Sequence, residues 1–289
     1  MKPAPFAYHA PETVADAVGL LREHGDDAKP LAGGQSLVPL LALRLTRFAH
    51  LVDLNRIAAL QGLRRDNGAL EVGAMTRQAT VEHSADADVV PLLARAVPLI
   101  GHFQIRNRGT IGGSLAHADP ASELPAVALA LDAELVAAGP GGVRVIPARD
   151  FFVSTWTTAL DSAEVLTAVR FPVRTERGGW AIEEFARRAG DFAVTGAACA
   201  VALGDDGRVE RAGIALFGMG STPLRATEAE RALVGSTAET ADSAEIGRLA
   251  TAGTDPPDDL HGTAAYRRKV GAHMTARAVA RAVEEATRG

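Results

Sequence analysis

Cysteine occurs once in this chain, at Cys199. No disulfide can form within one molecule, and no iron–sulfur or zinc cluster built on several thiolates can be housed in it. Aromatic residues make up 4% of the sequence, well short of a base-stacking surface. Positive charge is not in excess either. The 30 Lys and Arg stand against 35 Asp and Glu, the net charge is -5 and the arginines are scattered, which argues against nucleic acid as a partner. No apolar run approaches the length of a membrane span, and MKPAPFAYHA has prolines where a signal peptide carries its apolar core, so a cytoplasmic protein is expected. What is present is a globular composition, 47% hydrophobic and 22% charged over 289 residues, enough for one or two domains.

Val14, Ala17, Val18 and Leu21 have helical spacing, with Thr13 and Asp16 as a start signal and Gly25 after the last turn. AKPLAGG then reads as a strand entering a glycine turn, SLVPLLALRL as a helical stretch with Pro39 early, and HLVDLN as another strand, a β-α-β pattern. Asn67-Gly68 between two runs is the strongest hairpin signal in the chain. Helices are expected at about 91–100 and over ASELPAVALAL, strands at ELVAAG and EVLTAVRFP, and a domain boundary near RTERGGW, residues 174–180. Beyond it come two strands joined at Asp206-Gly207, helices at about 224–233 and 239–251, and a last helix after Thr263 with Tyr266, Val270, Met274 and Ala278 on one face.

Two glycine segments stand out, AGGQSL at 32–37 and TIGGSLAHADPASELPAV at 110–127. Adjacent glycines let backbone N–H groups line one concave side with no side chain to hold a ligand away, a seat suited to a diphosphate; a single pair more often closes a turn. Gln35, Ser36, Thr110 and Ser114 add polar side chains. There is no G-x-x-x-x-G-K-[ST], Pro223 occupies the third glycine position after Gly218, and neither H-E-x-x-H nor G-x-S-x-G occurs. The eight histidines show no metal-ligand spacing, so no metal site is expected, and His117 lacks an evident catalytic partner.

These two segments, together with RAGDFAVTGAA at 188–198, DFFVSTWTTAL, EVLTAVRFP and GMGSTPLRATEAERAL, resemble the FAD-binding medium subunit of molybdenum hydroxylases, the group of carbon monoxide dehydrogenase and xanthine dehydrogenase. The resemblance covers nearly the whole chain. It implies an α+β protein, with a two-subdomain FAD-binding fold of the vanillyl-alcohol-oxidase (PCMH) type over residues 1–176 (subdomains about 1–57 and 58–176) and a smaller α+β C-terminal domain over 177–289.

It also implies the cofactor contacts. Ala32, Gly33, Gly34, Gln35, Ser36 and Leu37 form one loop on the FAD diphosphate, and Thr110, Ile111, Gly112, Gly113 and Ser114 the other. Ser114 departs from the Asn usual there. Ala118, Asp119 and Glu123 fall near the ribose and adenine, although acids before LPAVALAL equally suit a helix N-terminus. Leu166 falls on the flavin side or in ordinary strand core, and Arg188, Asp191 and Phe192 pass close to the ring or form a simple turn. Phe192 stands where relatives often have Tyr. No catalytic acid or base is implied.

The implied activity is that of an oxidoreductase: a flavoprotein subunit that passes electrons from iron–sulfur clusters to an external acceptor. The implied partners are a large molybdopterin-binding subunit and a small iron–sulfur subunit in a dimer of heterotrimers. A self-contained FAD oxidase or dehydrogenase of the vanillyl-alcohol-oxidase type is the main alternative, and a non-redox anion-binding protein a further one.

Overall fold

The computed structural model describes residues 2–174 and 177–288, so the expected boundary at 176 and 177 touches residues outside that description. The first unit comprises β1 (Ala7–His9), α1 (Val14–His24), β2 (Ala28–Leu31), α2 (Leu37–Ala42) and β3 (His50–Asp53). β3 lies between β1 and β2 and is parallel to both, the β-α-β arrangement expected. Thr13 Oγ1 accepts the Asp16 N–H at 3.1 Å, which starts α1, and Gly25 ends it at φ +51. Ala17 and Leu21 on its inner face are fully buried against Val52, Leu54 and Ile57.

The second unit runs through β4 (Leu63–Asp66), β5 (Ala69–Gly73), α3 (Gln78–Glu82), α4 (Pro91–Ala96), α5 (Phe103–Arg106), α6 (Ile111–His117), α7 (Glu123–Ala130), β6 (Glu134–Gly139) and β7 (Gly142–Pro147). α8 (Ala148–Phe151), the short pair β8 (Phe152–Ser154) and β9 (Thr157–Thr158), and β10 (Val165–Pro172) complete it. Its sheet has the order β4-β5-β10-β6-β7, antiparallel throughout. Asn67 and Gly68 take φ +47 and +76, the paired left-handed conformation of a tight hairpin turn. Every residue of α7 is buried, because this helix packs against α4 on one side and against the third unit on the other. That is why its sequence has no polar face.

The third unit is an antiparallel sheet of β11 (Gly178–Phe185), β12 (Thr195–Leu203), β13 (Val209–Phe217) and β14 (Leu224–Arg225), with α9 (Thr227–Leu233), α10 (Ser243–Ala252) and α11 (Ala264–Arg288). Three expectations shift here. Residues 224–225 pair with β13 as a strand, so α9 begins later. α10 begins at Ser243, where Asp242 Oδ1 accepts the Glu245 N–H at 3.0 Å. α11 does start after Thr263, but its buried stripe is Arg267, Gly271, Met274, Ala278 and Ala282, with Tyr266 exposed. Tyr266 sits one residue off the stripe that meets the sheet.

Candidate functional site

The first glycine segment leaves the end of β2 and turns into α2. Gly34 takes φ +73, a conformation side-chain-bearing residues resist. Gly33 is buried so closely that a Cβ there would collide with Arg108 O and lie 2.8 Å from Gly109 Cα. No acceptor among the described residues meets the backbone N–H groups of Gly33, Gly34, Gln35 or Ser36. Gln35 folds back, its Nε2 donating to Gly33 O at 2.9 Å. Four consecutive unpaired donors at a left-handed turn make an anion seat.

The second segment is built differently from a matching nest. Ile111 N–H donates to Thr76 O at 3.0 Å, Gly112 N–H to Ala74 O at 2.8 Å, and Gly113 N–H to Thr110 Oγ1 at 3.0 Å. Those donors serve the start of α6, with Thr110 as its cap. Gly112 is glycine because a Cβ would lie 2.7 Å from Ala74 Cα. A Cβ on Gly113 would lie 2.6 Å from Thr110 Oγ1 and also reach the first segment, 3.1 Å from Ala32 Cβ. The two glycine segments therefore face one another, one offering N–H groups and the other a bare backbone wall.

A side-chain chain that the sequence did not disclose locks them together. Arg77 Nη2 donates to Asn55 Oδ1 at 2.6 Å, and Arg77 Nη1 donates to Arg108 O. Asn55 Nδ2 in turn donates to Ala32 O at 3.0 Å. Asp53 accepts from the Asn55 N–H at 2.9 Å and from Tyr8 OH. Burial pulls the Arg77 guanidinium below its ordinary value, and Arg108 adds to the effect. Nothing in the VDLN or MTRQA pattern marks these residues beyond a strand end and a helix start.

Past α6, Ala118 is left-handed at φ +52 and Asp119 closes a turn, Oδ1 accepting the Ala121 N–H at 2.9 Å. Asp119 Oδ2 accepts Trp156 Nε1–H at 3.2 Å, and Trp156 itself is exposed at φ +56. The His117 and Trp156 rings are near parallel, 6.2 Å apart. Burial holds the His117 imidazole below its usual value despite the nearby Asp119. Glu123, first residue of α7, is 4% exposed, and burial raises its carboxyl to about 8, with Glu184 and Asp119 adding repulsion. Glu184 on β11 is likewise raised to about 7 by burial, and its Oε2 has no hydrogen-bond partner among the described residues. It shares a face of β11 with Trp180 and Ile182, turned toward the second unit.

Arg188, Asp191 and Phe192 lie on the exposed turn between β11 and β12, where Asp191 N–H bonds Arg188 O at 3.1 Å. Gly190 at φ +85 sits against the His102 ring, so this turn rests on the 101–106 segment that leads to Gly109 and the first glycine loop. That segment is braced by Arg106, whose guanidinium meets Glu82 at 2.7 and 2.9 Å. Leu166 is 5% exposed and belongs to the core of the second unit.

These features fit a dinucleotide flavin. The unpaired N–H row suits a diphosphate, the bare backbone of Gly113 lies close against the first loop, and the buried Glu184 Oε2 has no hydrogen-bond partner among the described residues.

Residues 4–174 match the FAD binding domain in molybdopterin dehydrogenase, and residues 180–282 match the CO dehydrogenase flavoprotein C-terminal domain. A 6-hydroxypseudooxynicotine dehydrogenase complex subunit alpha of Paenarthrobacter nicotinovorans is 44% identical over 99% of this chain and 97% of its own length. The carbon monoxide dehydrogenase medium chain of Hydrogenophaga pseudoflava is 40% identical over 96% of this chain and 97% of its own. The solved carbon monoxide dehydrogenase from that organism superposes with a TM-score of 0.94 at 40% identity, covering 99% of both chains. A xanthine dehydrogenase FAD-binding subunit of Escherichia coli O157:H7 is 32% identical over 78% of each chain. The expected α+β class holds, an FAD-binding fold followed by a C-terminal domain, in a family of oxidoreductases. With both halves matched and the anion seat in place, the chain belongs to the FAD-binding medium-subunit family of the molybdenum hydroxylases, and its cofactor is FAD.

Proposed function

We propose that this chain is the electron-exit subunit of a molybdenum hydroxylase, taking electrons from a partner's iron–sulfur clusters and handing them to an external acceptor. The observation that carries this reading is a flavin seat in a chain that cannot hold a cluster. Its one cysteine, Cys199, is fully buried in the third sheet with its thiol pushed up to about 12 by burial. Substrate oxidation and cluster relay then belong to a large molybdopterin-binding subunit and a small iron–sulfur subunit, in a dimer of heterotrimers. Among the described residues no helix is long and apolar enough to cross a membrane, and a cytoplasmic location is part of the proposal.

In this reading residues 1–57 and 58–176 are the two subdomains of the flavin domain and 177–289 the C-terminal domain. Bound FAD would supply one- and two-electron carrier chemistry. The N–H groups of Gly33, Gly34, Gln35 and Ser36 hold its diphosphate, with Ala32 and Leu37 framing the loop and the Gly112-Gly113 wall opposite. Thr110 and Ile111 fix that wall, and the Ser36 and Ser114 hydroxyls add donors. Glu123 keeps its proton at neutral pH, so it offers a ribose both an O–H and a carbonyl, beside Asp119 and the Ala118 turn. Arg188, Asp191 and Phe192 lie along the ring, and Leu166 backs the site from the core. Their task is to bind, orient and exclude water.

Exposed apolar side chains next to the seat support a docking partner. Val38, Leu43 and Leu45 follow the first loop at 51, 50 and 70% exposure, and Phe103 and Phe192 are exposed beside the 188–192 turn. Co-expression with large and small subunits tests this. A stable three-protein complex is expected, whose flavin is reduced by the large subunit's substrate. A chain that stays apart from both subunits would overturn the proposal.

A further inference from the structure

Three histidines separated by long stretches of sequence meet in the first unit: His9 on β1, His24 at the end of α1 and His50 at the start of β3. His50 pairs with Ala28, at the opposite end of β2 from the glycine loop, and His9 on the neighbouring β1 pairs with Val52, so the two imidazoles meet diagonally on one face of the sheet. His9 Nε2 and His50 Nδ1 are 3.0 Å apart. The His24 and His50 rings are parallel within 8° with centroids 3.6 Å apart, and the His9 ring stands 5.3 Å from each. One ring nitrogen from each of the three lies within 4.8 Å of the others, and all three residues are half-buried.

The chemistry of the cluster is unusual for a surface. No ion pair to an acid and no hydrogen bond from any other described residue's side chain engages these rings. In the contact between His9 and His50 one nitrogen donates to the lone pair of the other, so a metal ion would replace this hydrogen bond, taking the acceptor's lone pair and moving the donor ring's proton to its other nitrogen. Imidazole nitrogens bind Zn²⁺ at about 2.0–2.1 Å, which sets two ligands of a tetrahedral site roughly 3.3 Å apart. The nitrogens here, 3.0 to 4.8 Å apart, approach that spacing. Three backbone positions on three elements are already assembled, and ligation would require the stacked His24 and His50 rings to turn until their in-plane lone pairs converge.

We propose that His9, His24 and His50 form a three-imidazole site for a divalent first-row transition-metal cation, with a solvent molecule in the remaining position. Imidazole ligands without thiolate or carboxylate suit Zn²⁺, Cu²⁺ or Ni²⁺ rather than Mg²⁺ or Ca²⁺. The ion would cross-link β1, α1 and β3, and it has no part in electron transfer. Spacing along the chain conceals the site, because the three ligands come from separate elements and no two share a helix turn.

The test uses the full-length, untagged chain carrying its FAD, stripped with a chelator and equilibrated with ZnCl₂. Elemental analysis after equilibrium dialysis should give one Zn²⁺ per chain. His9→Ala and His24→Ala should each weaken binding at least about tenfold, with His83→Ala unchanged. Flavin content should be the same in all of them, which keeps this result separate from the flavin assignment. A measurement needing no variant uses diethyl pyrocarbonate with peptide mass analysis. Zn²⁺ should shield His9, His24 and His50 from modification and leave the exposed His83, His261 and His273 reactive. Absence of stoichiometric Zn²⁺, undiminished binding in folded His9→Ala and His24→Ala variants, or equal modification with and without Zn²⁺ would overturn the proposal.

Discussion

Arg77 Nη2 donates to Asn55 Oδ1 at 2.6 Å, and through that bond a residue beside the second glycine segment grips the first. Asn55 holds Ala32 O at 3.0 Å, while the other Arg77 nitrogen holds Arg108 O against Gly33. The separation of the two cofactor walls is thus set by side chains that need not touch the cofactor. Arg77→Met keeps the length and removes both bonds. A hydrogen bond to a charged group contributes about 1.5–3 kcal/mol, so the FAD dissociation constant should rise roughly tenfold or more. Flavin fluorescence titration of the stripped chain checks this, and an unchanged constant would remove Arg77 from the positioning role.

The two adjacent glycines at 112 and 113 should separate by phenotype. Gly112→Ala forces a Cβ into Ala74 and should lower stability by about 1–3 kcal/mol, read as a fall in Tm. Gly113→Val points its branch at Ala32 and Thr110 and should strip FAD from a chain that remains folded. Flavin absorbance per chain and circular dichroism distinguish the two. Full flavin retention in Gly113→Val would contradict the facing-wall arrangement.

Much of this was legible beforehand. The β-α-β of the first unit, the Asn67-Gly68 hairpin and β10 closing at Pro172 follow from local pattern, because turn chemistry and alternation act over a few residues. Both glycine segments were legible as a pair. Their difference was not: whether Ile111 and Gly112 N–H groups are free depends on Thr76 and Ala74 carbonyls brought up by the second sheet. Arg77, Asn55 and Glu184 escaped for the same reason, being ordinary polar residues whose meaning comes from long-range contact. The three histidines of the first unit are the extreme case.

Glu123 makes stability depend on pH. Its carboxyl keeps a proton up to about 8 in the folded chain but releases it near the ordinary 4.5 when unfolded. Between those values the folded state binds more protons, so stability is full below pH 4.5 and is lost as pH rises toward 8. Glu184, raised to about 7, acts in the same direction. Glu123→Gln should flatten the Tm profile of the flavin-free chain over this window and stabilise it at pH 8 by on the order of 2–4 kcal/mol. A variant whose profile parallels the parent would show that the carboxyl is not held neutral.

The central claim is that this flavin receives electrons from a partner and not from an organic substrate of its own. The direct measurement is anaerobic: the purified FAD-loaded chain is mixed with aldehydes, purines, N-heterocycles and alcohols while flavin absorbance is followed, with dithionite as the control for reducibility. Bleaching is expected with dithionite alone, and with substrate only once the large and small subunits are added. Rapid bleaching by any of those substrates in the isolated chain would contradict the claim and identify a self-contained flavin oxidase or dehydrogenase.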